Sequence, residues 1–65
     1  MEIFNRSKIK QLREDRGLTQ QALADDLEIQ QSRIAEIEGN GRLSVKRAQQ
    51  LAEYFGIDWK ELLKD

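Results

Sequence analysis

Nowhere along this chain do apolar and polar residues alternate one by one; large apolar residues recur instead at spacings of three or four. Ile9 and Leu12, Leu23 and Leu27, Ile34 and Ile37, and the longer set Val45, Ala48, Leu51, Ala52 and Phe55 all follow this rule. A strand buries every second residue, whereas a helix buries one stripe per 3.6-residue turn, so the pattern predicts helices throughout and an all-α fold. A chain of 65 residues supplies at most one domain and one small core. It contains no cysteine and no histidine, so disulfides, zinc sites and histidine acid–base catalysis are excluded. Neither a metal, a cofactor nor a catalytic group is expected, and stability has to come from close helix packing, with self-association as an aid. No apolar run reaches signal-peptide or bilayer-spanning length, which leads to the expectation of a soluble cytoplasmic protein without membrane contact.

Five helical segments can be read as one domain over 1–65. The first runs from about Arg6 to Arg16, capped by Asn5, with Gly17 placed for a left-handed end. The second covers about 19–26, with Thr19 as its cap and Ala24 small enough to admit a neighbouring helix. The third covers about 30–38 and is polar except for Ile34 and Ile37; the glycines of "GNG" (39–41) end it. Ser44 caps the fourth, which Gly56 closes, and Asp58 with Glu61 forms a capping-box pattern for a last short helix. A short polar helix is weak alone, because nucleation is costly. The third must therefore be held by its two isoleucines, which leaves the rest of its surface for a partner.

Charge is distributed rather than net. Eleven Lys and Arg stand against twelve Asp and Glu, giving −1. Arg6, Lys8, Lys10, Arg13 and Arg16 crowd the start, and Arg42, Lys46 and Arg47 form a second cluster. From Ala48 onward, Lys60 and Lys64 face Glu53, Asp58, Glu61 and Asp65. A basic front and an acidic back are expected.

Two short helices joined by a tight link, with a small residue in the first and polar residues on the second, make a helix-turn-helix pattern. The ordered set "LREDRGLTQ", "LA", "QQSRIAEIE", a short glycine loop and "LAEYFGI" resembles the Cro-like, XRE-type helix-turn-helix family of phage and bacterial repressors, over about Ile9 to Leu63. The resemblance implies a compact, lambda-repressor-like five-helix domain whose third helix enters the DNA major groove. It implies base reading by Gln30, Gln31, Ser32 and Glu36; Arg33, by its own chemistry, is a further candidate, for guanine or phosphate. It gives Thr19 and Gln20 to the start of the scaffold helix and to a DNA phosphate, and Ile34 and Ile37 to the core. It also implies an ion pair between Arg13 and Glu38. Two features depart from the family pattern: Glu28 stands where the turn usually has glycine, and the loop after Glu38 is about a residue shorter, with Arg42 as its base.

The chemistry of these side chains agrees with such roles. A glutamine amide can bond adenine N6 and N7 together, which makes Gln31 the leading reader. Glu36 faces repulsion from phosphates unless it accepts from a cytosine N4 amine or serves to reject wrong sites. Arg42, Lys46 and Arg47, with Lys8, are candidates for phosphate contacts, together with helix N-terminal amides. Ile57, Trp59 and Leu63 are more apolar surface than a small tail needs, and are expected to reach a second copy. The function expected is that of a dimeric transcriptional repressor on a palindromic double-stranded DNA operator, with no enzymatic activity. The competing expectation is an antitoxin-like module that binds a partner protein through its acidic surface.

Overall fold

The computed structural model describes residues 3–64, so Asp65 of the acidic tail lies outside the described residues. Three of the four α-helices begin on a side-chain cap. The first, α1 (Arg6–Asp15), starts at Asn5, whose Oδ1 accepts from the Lys8 amide at 3.2 Å. The second, α2 (Gln20–Leu27), starts at Thr19, whose hydroxyl accepts from the Ala22 amide at 3.0 Å. The third, α3 (Gln31–Glu38), is entered through Gln30, which makes no side-chain cap bond. The fourth, α4 (Val45–Phe55), starts at Ser44, whose Oγ accepts from the Arg47 amide at 3.1 Å. Gly56 ends it in the left-handed conformation at φ 73°.

The last segment is a four-residue 3₁₀ turn, Trp59–Leu62, rather than an α-helix. Asp58 does cap it, but through the Lys60 amide at 3.0 Å, while the Glu61 and Leu63 amides reach back three residues to Asp58 and Lys60. The chain then straightens, because Leu63 forms an isolated antiparallel bridge with Phe4. Asn5 donates its amide to the Leu62 carbonyl at 2.7 Å and Lys64 donates to Ile3 at 2.9 Å. The bridge draws the tail across the start of α1.

The core is the set of stripes read from the sequence, except that Val45, in the first turn of α4, is left 42% exposed. Ile9, Leu23, Ile34, Ile37, Leu51 and Leu62 are fully buried, with Phe4, Ala24, Leu27, Ala48, Ala52 and Phe55 around them. Leu12 packs on the edge. The helix α2 packs chiefly on α3, and α1 also contacts α3, so the polar third helix is gripped along its isoleucine stripe from behind. Among the described residues no helix is long and apolar enough to cross a membrane.

Candidate nucleic-acid interface

The turn that aims α3 is made by Glu28, Ile29 and Gln30. Glu28 adopts φ 59°, ψ 42°, and the Ile29 amide reaches back to the Ala24 carbonyl at 2.9 Å. This left-handed closure ends α2 in two residues and lets α3 start at once. A side chain in that conformation costs roughly 1 kcal/mol, so the turn is made against the preference of a non-glycine residue.

On α3, Ile34 and Ile37 are fully buried, while Gln31, Ser32, Ala35 and Glu36 are exposed and Arg33 is half-buried. Gln30 is exposed just ahead of the helix. The expected readers therefore lie on or beside the open surface of one short rod.

A run of polar contacts leads from the interior to that surface. Arg13, 8% exposed, donates Nε to Glu38 Oε2 at 2.7 Å and Nη2 to Glu38 Oε1 at 3.1 Å. Its Nη1 holds the Leu18 carbonyl at 2.7 Å, which fixes the link between α1 and α2. The Glu38 hydrogen bond raises the arginine's already high pKa, against the opposing effect of burial. Gln20 Nε2 donates to Glu38 Oε1 at 3.2 Å, and Gln31 Nε2 donates to Gln20 Oε1 at 2.7 Å. The two glutamines thus meet across the start of α2 and the start of α3.

The other two arginines at the ends of α1 are engaged by helix ends. Arg6 Nη1 donates to the Ile37 carbonyl at 2.9 Å and to Glu36 at 3.3 Å, at the C-terminal end of α3. Arg16 Nη2 donates to the Phe55 carbonyl at 2.6 Å, with its guanidinium 4.8 Å from that ring's centre. Each caps a helix end where carbonyls lack partners and the dipole is negative. Lys8 is half-buried and Lys10 exposed. Lys46 and Arg47 flank the N-terminus of α4, where with Ser44 and Gln50 they line a shallow depression, and Arg47 donates to the Gln50 carboxamide. Arg42 is exposed in the loop before it, and Thr19 at the start of α2. Gly41 lies so near Glu36 that an added Cβ would stand 2.4 Å from the Glu36 Cβ. The loop therefore folds over the base of that side chain.

Ile57, Trp59 and Leu63 are half-buried and pack on the core, and Leu63 is also engaged by the terminal bridge. The large apolar residues most open to solvent among those described are Ile3, at 53%, and Val45, at 42%. On the acidic side, the Tyr54 hydroxyl donates to Asp26 Oδ2 at 2.5 Å, tying α4 to the end of α2. That bond, with smaller help from burial, raises the tyrosine's pKa. Among the described residues no group of acids is arranged to hold a metal ion. The capping arginines Arg6 and Arg16 and the Glu38–Gln20–Gln31 contacts were not legible beforehand. Their partners stand 11 to 39 residues away, and no local pattern marks them.

Comparison with known families matches a model described as a helix-turn-helix domain over residues 7–65. Comparisons with curated proteins and with solved structures found no match.

Proposed function

Since the chain belongs to the helix-turn-helix domain family, we propose that it binds double-stranded DNA sequence-specifically through α3 and acts as a transcriptional regulator, a dimeric repressor of the Cro-like, XRE type on a palindromic operator. The observation that carries this reading is the exposed amide of Gln31, braced by Gln20 at the lip of a helix whose opposite face is sealed by Ile34 and Ile37. Gln31 is the adenine reader. Gln30, Ser32 and Arg33 reach neighbouring base edges or phosphates, and Glu36 accepts from a cytosine amine or rejects other bases. Thr19, Gln20, Arg42, Lys46 and Arg47 serve the backbone, aided by the amides at the starts of α2 and α4. This division lets a chain of net charge −1 bind a polyanion with few cations.

One eight-residue helix reads too few base pairs for a useful operator, so two copies are required, their reading helices about 34 Å apart. Ile57, Trp59 and Leu63, half-buried at one end of the domain, are the surface assigned to that contact. Sedimentation with and without operator DNA tests it; monomer alone at high micromolar concentration in both conditions rejects the dimer.

The second reading, a module that binds a partner protein, is favoured by the exposed acids Asp25, Asp26 and Glu28 at the end of α2. Salt separates the two. Duplex binding releases condensed counterions, so the logarithm of its affinity falls linearly with the logarithm of salt concentration, with a slope of about −0.9 per phosphate neutralised. Affinity for duplex DNA that is absent at 50 mM salt rejects the DNA reading.

A further inference from the structure

Glu38 is nearly shut away from solvent, its side chain 4% exposed, so it cannot touch a duplex. Yet it stands at the head of the hydrogen bonds that end on Gln31. We propose that Glu38 is a positioning residue that sets the order of donor and acceptor which Gln31 shows to a base pair. This rests on the reading of α3 as the DNA-reading helix.

Each hydrogen bond in this series forces the polarity of the next. A carboxylate paired with a guanidinium has acceptors only. Oε2 of Glu38 accepts a hydrogen bond from Arg13 Nε, and Oε1 accepts one from Arg13 Nη2 and one from Gln20 Nε2. Gln20 therefore has to offer its NH₂ end to Glu38; turning its amide over would set two oxygens against each other. With that end committed, Gln20 Oε1 is what points toward Gln31, and Gln31 has to answer with its own NH₂ group at 2.7 Å. One N–H of Gln31 is then used, and its other N–H and its Oε1 remain for a base. Adenine offers N7 as acceptor beside N6 as donor, in one fixed order along the groove. A reversed amide presents the two groups in the wrong order at that place. An amide at position 38 that keeps its oxygen on Arg13 Nε turns its NH₂ group toward Gln20, giving up the Nη2 bond, so that Gln20 and then Gln31 are no longer held in this order.

The experiment compares selection from random duplex DNA for the full chain and for Glu38→Gln, with thermal melting as the check on folding. The expected result is that preference falls from about tenfold or more to about twofold at the base pair that Gln31→Ala identifies, while preference elsewhere in the site is retained. A uniform loss of affinity with an unchanged site profile overturns the proposal and leaves the DNA reading standing. A parent chain that selects no site overturns both. Should Glu38→Gln fail to fold, Gln20→Met decides, since it cuts the same chain while keeping the Arg13 ion pair. Full retention of the preference at the Gln31 position in that variant overturns the proposal, and relaxation confined to that position supports it.

Discussion

Glu28 holds its backbone at φ 59°, a conformation that glycine adopts freely and other residues only at a cost of about 1–2 kcal/mol. It also adds an acid to the C-terminal end of α2, where the helix dipole is already negative and Asp25 and Asp26 stand nearby. Glu28→Gly is therefore expected to stabilise the fold by about 1 kcal/mol, read as a rise in Tm of about 4–8 °C for a domain of this size. A lower Tm contradicts the assignment of strain to this turn. Gly41 presents the opposite case. A Cβ there would meet the Cβ of Glu36 at 2.4 Å and its Cα and carbonyl oxygen at 3.0 Å, and the backbone atoms cannot swing aside. Gly41→Ala should cost about 1–3 kcal/mol by forcing the loop off α3. An unchanged Tm would show that the loop does not rest there.

At the scale of elements, α1 clamps the C-terminal end of α3 twice. Arg13 reaches it through Glu38, and Arg6 binds its last carbonyls. The two clamps differ in burial, and so in their consequences. Removing Arg13 strands a buried carboxylate, so Arg13→Ala should lose about 3–5 kcal/mol of stability. A variant with normal melting and weak DNA binding would instead make Arg13 a DNA contact. Arg6 is half-exposed, and Arg6→Ala should leave Tm within a few degrees while loosening the end of α3 and weakening duplex binding severalfold. Unchanged binding would show that this end needs no anchor. The elements themselves were legible where cause is local: Asn5, Thr19 and Ser44 cap the helices where hydroxyl and amide residues should, and the isoleucine pair lies where its spacing puts it. The 3₁₀ turn at Trp59 was not legible as such, because the bridge from Leu63 to Phe4 that follows it joins opposite ends of the chain. The helix-end partners of Arg6 and Arg16 were not legible for the same reason, since a helix end that needs an arginine leaves no mark beside that arginine.

For the whole molecule, the helix-turn-helix assignment followed from an ordered series of short patterns, and the family match covers residues 7–65. What the series does not contain is the three-dimensional charge. Three arginines of its basic cluster, Arg6, Arg13 and Arg16, are oriented onto internal carbonyls. The acidic side has its own signature in Tyr54. A pKa raised in the folded state means that the Asp26 bond contributes fully below the ordinary tyrosine value, near pH 10, and is lost as pH rises through the raised value. Melting of Tyr54→Phe should therefore fall below that of the parent at neutral pH and converge with it in strong alkali. A difference that persists there contradicts the bond's role. The most direct test of the DNA reading follows the amide resonances of the labelled chain while a selected duplex is added at low salt. Shifts concentrated on Gln30, Gln31, Ser32 and Glu36, with the start of α4 joining them, are the predicted result. Shifts gathered instead at Asp25, Asp26 and Tyr54, with α3 silent, would contradict it.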